Sequence, residues 1–510
     1  MPNFCQTIGA DDFTAMINFC ADAISGAVAP GIQRLAYDRH RLLVEGGKWK
    51  GVWSQNYFGM CCTTPFLEGK LLEYHTNTLR LFFDFQADGV KGDANGFVGP
   101  SGALPEWIST EEEIPVPRYK NDESCGHAEQ FDFWVEGNAA SVLSLADLLL
   151  MTRDREMTAH YLPAMEKTLA WILSRRDQRT GLLKIGVSGI LIERAYGATY
   201  RGPGKSDYGL PSGAVVNTAK ALDVTAELEE FAGNAEKASE YRQAAAALQE
   251  ALKQLVEANS YLINYIDADG IRHGVLGAPR HNYLEGNANV DMAAWGALPD
   301  EIANAALDKL RRVSPTPLAV SVWPIHDDAE PTYQKDDPAY GGAGSHWNGA
   351  AWFSTQARYL YALLRNNRFD EAYAVGKCMR DIHATGTLRD VMDDYGRQPL
   401  GEYNPDAEGA FYIDGFGTFG GFLRGLFAIR FRANTMELAP HLPAEMTSYK
   451  QIYPLRWGDR RISLVVTGAG SSVSQILLNG TPFAATYRNN RFAFPFDALV
   501  QENTIEFVRK

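Results

Sequence analysis

The chain has 510 residues, a formal net charge of −14, and is 45% hydrophobic and 11% aromatic. That length exceeds one ordinary hydrophobic core, so two or three domains are expected in a folded, globular protein. An acidic chain without a basic tract excludes nucleic acid as a partner, because phosphate binding needs clustered Lys and Arg. Neutral or cationic small molecules and uncharged polymers remain as ligands.

The first residues, "MPNFCQTIGADDF", lack a basic segment followed by an apolar run, so no signal peptide is expected. No stretch approaches the roughly 18 consecutive apolar residues of a membrane span. The six cysteines (Cys5, Cys20, Cys61, Cys62, Cys125, Cys378) contain no C-x-x-C pair, which argues against structural zinc and for a reduced compartment. The expectation is a cytoplasmic protein with no membrane association, no metal and no cofactor.

From about residue 10 to 431 apolar residues recur with a helical period. The pattern predicts helices over 11–27, 57–86, 138–152, 156–174, 214–232, 235–257, 287–295, 299–313, 347–365, 369–384 and 414–431. Over 235–257 the repeat runs through Ala238, Tyr241, Ala245, Leu248, Leu252 and Leu255, with Gly233-Asn234 as stop and start signal before it. A twelfth helix would have to lie in 28–56 or 100–133. Short connections (233–234, 366–368) alternate with long ones rich in Gly, Pro and aromatics (87–133, 176–210, 314–346, 385–413). Such alternation predicts helical hairpins with the long loops gathered at one end, where sites usually sit.

After Arg432 the texture changes. "ISLVVTGAG", "SQILLNG", "FAATYRNNRFAF" and "NTIEFVRK" are short β-branched or aromatic runs, with hairpin signals at Asn479-Gly480 and Asn489-Asn490. The expected architecture is therefore mainly α: an (α/α)6 toroid of six helical hairpins over 1–433, then a small antiparallel β-sandwich over 434–510. That β domain could pack beside the toroid or pair two copies of the chain into a homo-oligomer.

Three stretches place acids among aromatic rings and hydroxyl-binding side chains, the texture of a carbohydrate cleft. In "YGATYRGPGKSDYGLPSG" Asp207 stands beside Arg201 and Tyr208; in "YGGAGSHWNGAAWF" His346, Trp347 and Asn348 precede a helix; in "GEYNPDAEGA" Glu402 precedes Tyr403. Cleaving a glycosidic bond needs one protonated carboxyl to assist the leaving oxygen and a second, ionised one to activate water or attack the sugar.

These stretches resemble the (α/α)6 glycoside hydrolases of the clan holding family 63 α-glucosidases, mannosylglycerate hydrolases and trehalases. "HWNGAAW" is similar to that clan's W-R-G-P-x-W. Glu402-Tyr403-Asn404-Pro405-Asp406-Ala407-Glu408-Gly409, followed by Phe416-Gly417, resembles its E-x-Y-N-P-x-T-G-E-G and F-G-W. The loop ending in Asp207 resembles its G-x-D-N-S-P loop, although the Asn and Arg that follow the family's aspartate are absent here. The likeness spans roughly 150–430, and a β domain after the toroid is more typical of rhamnosidase-like and disaccharide phosphorylase groups. The resemblance implies an inverting hydrolase in which Asp207 is the general acid and Glu402 the general base.

Other residues compete for roles. Glu193, after the apolar run "ILI", and Glu136, at a helix start in "FWVEGNAA", are alternative proton donors whose burial would raise their pKa. Glu136 equally fits a first-turn acid on the helix dipole. Trp49 and Trp53 in "KWKGVWSQ" fit a sugar subsite or a loop anchor, and Trp347 with Trp352 a sugar platform or plain core. Asp390, Asp393 and Asp394 lack calcium-loop spacing and fit turn or hydroxyl-binding positions. The expected activity is an exo-acting glycosidase on a terminal sugar. A disaccharide phosphorylase, a sugar lyase or epimerase on the same toroid, or a non-catalytic carbohydrate-binding protein are the alternatives.

Overall fold

The computed structural model describes residues 5–8, 11–25, 35–46, 50–119, 134–185, 208–321, 344, 348–384, 391–392, 397–399, 413–451 and 454–510. Among the described residues there are twelve α-helices, and the β strands concentrate in the C-terminal region. In chain order the helices are α1 (Asp11–Ser25), α2 (Ser54–Met60), α3 (Gly69–Asp84), α4 (Val135–Thr152), α5 (Arg155–Leu173) and α6 (Ser212–Ala232). They continue as α7 (Ala235–Leu252), α8 (Asn287–Trp295), α9 (Asp300–Val313), α10 (Phe353–Arg365), α11 (Phe369–Ala384) and α12 (Ile413–Gly425).

The helix expected over 57–86 is two. The apolar period runs on, but a turn through Thr64–Phe66, with Pro65 in its first positions, and Gly69 at φ 53° separate α2 from α3. Among the described residues this break accounts for the twelfth helix, and much of 28–56 and 100–133 lies outside them. The helix expected from 347 begins only at Phe353, because Ala351–Trp352 pairs as a strand with Val391–Met392. The last one stops at Gly425, since Arg430–Phe431 pairs with Thr435–Leu438.

The even-numbered helices contact one another in the order α2, α4, α6, α8, α10, α12 and back to α2. The odd-numbered helices back onto them: α3 on α4, α5 on α4 and α6, α7 on α6, α9 on α8, α11 on α10 and α12, and α1 on α12. Side-chain chemistry follows this arrangement. In α6 almost every residue is buried, Glu227 and Glu229 included, whereas α7 buries one stripe (Ala238, Tyr241, Ala245, Leu248, Leu252) and exposes its charged face.

Matching turns of the even-numbered helices meet. Gly213, in the first turn of α6, lies between Glu136 of α4 and Ala288 of α8, and a Cβ added to it would sit 3.5 Å from Glu136 Oε1. Thr355 of α10 donates to Asn287 of α8, and Gly59 of α2 lies against Ser354 of α10. At the other end Arg424, in the last turn of α12, reaches Asp147 of α4 and the Cys61 carbonyl just past α2. These helices are therefore parallel, with their N-termini together. The long connections lead into them at that end, and the short ones (153–154, 233–234, 366–368) lie at the opposite end.

The C-terminal region forms two sheets. One orders Cys5–Ile8, Ser448–Gln451, Arg460–Thr467, Glu502–Arg509, Val473–Leu478 and Thr481–Pro482, with Leu455–Trp457 also on Arg460–Thr467. The other orders Arg430–Phe431, Thr435–Leu438, Arg491–Pro495 and Thr486–Arg488. Phe494 of the second meets Phe507 of the first edge-on at 6.1 Å, so the sheets share an aromatic core. The region is not wholly antiparallel as expected: Arg460–Thr467 and Glu502–Arg509 run parallel. The chain leaves the first sheet to form the hairpin Thr486–Pro495 and returns in the same direction, the crossover a parallel pair requires. Both expected hairpins form, with φ positive at Asn479, Gly480, Asn489 and Asn490, as the two-residue turn of a twisted hairpin demands. At its other extreme the first sheet is completed by the N-terminal strand Cys5–Ile8, antiparallel to Ser448–Gln451.

This β region seats on the C-terminal end of α4, whose last carbonyls have no partner within the helix. Trp457 Nε1 donates to Leu150 O at 3.1 Å and Gly458 N to Met151 O at 2.7 Å. Arg153, left-handed at φ 55°, ends α4 and lays its guanidinium over Phe496 at 4.0 Å and Phe231 at 4.7 Å. An ionic network backs the contact: Arg432 binds Glu227 at 2.7 Å, and Arg430 binds Asp223.

Candidate active site

The joined N-terminal turns of the even-numbered helices carry a connected polar belt. Asn217, one and a half turns into α6, gives Nδ2 hydrogens to Glu136 Oε1 at 2.9 Å and Asp291 Oδ2 at 3.0 Å, and accepts from Trp295 Nε1 at 3.3 Å. Arg358 of α10 binds Asp291 through Nε, donates to the Ser354 carbonyl at 2.6 Å, and stands 4.3 Å from the ring centre of Phe58 on α2. Five helices are thus stitched by one chain of contacts. Although burial works against its charge, the Asp291 carboxylate holds Arg358 above the ordinary arginine range.

Beside the belt lies Glu285, just ahead of α8 and 3% exposed. Its two oxygens accept the Asn287 and Ala288 backbone N–H groups at 2.8 and 2.6 Å, capping the helix. Those donors favour the anion, yet burial, with Glu136 and Asp291 close by, pushes the carboxyl up to about 8. The site therefore holds a buried carboxyl that keeps its proton to higher pH than usual, with Glu136 close by.

Buried polar atoms without a hydrogen-bond partner at this end include Ser54 Oγ of α2, Trp107 Nε1 of the strand Trp107–Ser109, Trp134 Nε1 before α4, Ser212 Oγ of α6 and Asn287 Nδ2 of α8. Ser54 and Trp134 are adjacent in space, for a Cβ on Gly137 would lie 2.6 Å from Ser54 Oγ and 2.7 Å from the Trp134 ring. Buried polar atoms are rarely left unsatisfied, so their grouping here makes this end a candidate for a polar guest.

Of the residues expected from sequence, Trp53, Glu136, Tyr208 and Asn348 are at this end. Trp53 pairs across strands with Trp107 and stacks on it at 4.9 Å and 28°, with Arg118 5.9 Å from the Trp107 ring centre. Tyr208 precedes α6 and has Lys184 Nζ 4.9 Å from its ring centre. Asn348 is buried ahead of α10, and Trp352 is buried at the start of that helix. Asp207, Glu402, Trp49, Glu193, Arg201, His346, Trp347 and Tyr403 lie outside the described residues, as do Asp390, Asp393 and Asp394.

Sequence reasoning missed Asn217, Glu285, Asp291 and Arg358. Their signal is faint: three of them are polar residues set within mostly apolar stretches, as in "GAVVNTA", "NVDMAAW" and "QARYLYALL". Among the described residues no group of three or more His, Cys, Asp or Glu is arranged to hold a metal ion. Nor is any helix among them long and apolar enough to cross a membrane.

No family model matches the chain, and no curated protein does. Solved structures do match in fold. The GH78 family rhamnosidase of a Bacillus species aligns over 91% of this chain and 42% of its own, with 14% identity and a TM-score of 0.55. A sialidase aligns over 98% of this chain and 42% of its own, with 13% identity and a TM-score of 0.56. The GH63 mannosylglycerate hydrolase from Thermus thermophilus aligns over 77% of this chain and 97% of its own, with 14% identity and a TM-score of 0.50. The chain thus spans less than half the length of the first two and shares the fold of all three.

Proposed function

We propose that the protein is a glycoside hydrolase. The observation that carries this reading is the mouth at the N-terminal ends of the even-numbered helices. There Glu136, Glu285 with its raised pKa and a group of unpartnered buried polar atoms lie at the end that carries the Trp53–Trp107 stack. Likeness in fold to a rhamnosidase, a sialidase and a mannosylglycerate hydrolase supports it.

The finer reading follows the sequence. The cyclic order of helix contacts supports an (α/α)6 toroid of six hairpins as the catalytic body (1–433), with 434–510 as the β domain, to which the strand Cys5–Ile8 adds. Asp207 protonates the leaving oxygen and Glu402 activates water, both brought in by the long connections ahead of α6 and α12. Glu193 is the other candidate for the proton donor, and Glu136 is read as a substrate-binding carboxylate. Exo-action on a terminal sugar suits a mouth lined by connecting loops. The substrate is a neutral or mildly polar glycoside, and the catalysis uses carboxyls without a cofactor.

The test is sugar release followed by proton NMR on a panel of rhamnosides, sialosides, glycosylglycerates and other oligosaccharides, with wild type, Glu402→Gln and Asp207→Asn. First release of the opposite anomer, lost in both variants, is the expected result. Release of the retained anomer would overturn inversion, and unchanged turnover in Glu402→Gln would overturn that residue's role.

A further inference from the structure

Asn217 is fully buried and bonded on three sides by groups from two other helices. Its amide can take only one orientation. The Trp295 indole N–H can only donate and ionised carboxylates can only accept, so a flipped amide would set like against like all round. One side chain therefore gives a hydrogen to each of two carboxylates on separate helices, which neither an apolar nor an acidic residue could do.

The surrounding groups make that bridge consequential. On α10, Arg358 serves Asp291; ahead of α8, Glu285 is spent on two backbone N–H groups; on α2, the ring of Phe58 backs Arg358. On α6 itself the contact to Glu136 Oε1 comes from Asn217, and Gly213 leaves the carboxylate its space.

We propose that Asn217 is a positioning residue, which fixes the orientation of the Glu136 carboxylate at the mouth and keeps it ionised beside Asp291. Glu136 then meets a sugar hydroxyl as a preset acceptor. The sugar part rests on the glycosidase reading; the positioning of the carboxylate does not.

The experiment uses the full chain labelled with 13C at the glutamate carboxyls. The Glu136 signal is identified by its loss in Glu136→Gln and titrated in wild type, Asn217→Asp and Asn217→Leu, with Asn217→Ser in place of the leucine variant if that one fails to fold. Losing a donor to the anion raises the Glu136 midpoint by about one pH unit or more in each folded variant, and the acid limb of kcat/KM moves up with it. Midpoints unchanged in the folded variants overturn the proposal, since a merely structural role would leave them in place. If wild type releases no sugar but the midpoint moves, positioning stands and the glycosidase reading falls. If wild type turns over and the midpoint stays, the reverse holds.

Discussion

Arg424 sets both of its terminal nitrogens on the carboxylate of Asp147, at 2.7 and 2.9 Å, across the inner face of the helical body. Both residues are buried, and the guanidinium also reaches the carbonyls of Cys61 and Ile429. Three helices and the start of the β region converge on one ion pair. Asp147→Asn leaves the arginine charged and unpaired, because burial opposes its charge while Asp147 holds its pKa well above the usual range. The expected loss is about 3–5 kcal/mol by urea denaturation, and replacing both residues with apolar ones of similar volume recovers much of it.

Glu229 of α6 is fully buried, accepts from the Asn234 amide at 2.8 Å and has the Glu166 carboxyl of α5 close by. Burial, then that neighbour, raises its pKa from 4.5 to about 7, while the Asn234 amide works the other way. The folded state thus keeps a proton that the unfolded chain gives up above 4.5. Its stabilising effect is complete below that pH and lost as pH rises through about 7. Glu229→Gln, which keeps a donor to Glu166, removes this part of the pH slope. Relative to wild type it gains up to about 3 kcal/mol between pH 5 and 8, measured by denaturant midpoints.

The glycines of α12 are there for contact between helices. A Cβ at Gly421 would stand 2.0 Å from the Ala357 carbonyl of α10, and one at Gly420 2.1 Å from Thr63 Oγ1 beyond α2. Neither obstacle is the end of a flexible side chain that can swing away freely. Gly421→Ala should destabilise by about 3 kcal/mol despite alanine's better helix propensity, and thermal unfolding checks the sign.

Arg153 joins the end of α4 to the β region through three rings and a hydrogen bond of 2.6 Å to the Ala433 carbonyl. Arg153→Gly suits the left-handed backbone and removes only the side chain. A loss of about 1–2 kcal/mol is expected, with faster proteolysis around 434–460. Unchanged cleavage would mean that the Trp457 and Gly458 bonds to α4 hold the region alone.

Much of this was legible in sequence because it is local. The hairpin of α6 and α7 announces itself through Gly233 and Asn234, and the Asn-Gly and Asn-Asn turns carry their own backbone requirement. What escaped is non-local. The strand Cys5–Ile8 finds its partner near residue 450, and no pattern in four residues reveals that. Pro65 broke a helix whose apolar period runs straight on. Asn217, Asp291 and Arg358 are buried polar residues whose meaning exists only once their helices lie side by side. Glu285 reads as a helix cap, which it is; its proton-holding character comes from burial that sequence does not display.

The pairing of Cys5–Ile8 with Ser448–Gln451, with α1 resting on α12, has a consequence for how the molecule is made. The strand Cys5–Ile8 and α1 leave the ribosome several hundred residues ahead of their partners, Ser448–Gln451 and α12. Over that stretch of synthesis α1 must carry an uncovered apolar face, and the clasp closes only after residue 451 has emerged. Folding should therefore be slow and late-committing, as long-range pairing requires. A permuted chain opened at Gly233-Asn234, with its old ends joined, should form that clasp early and fold faster.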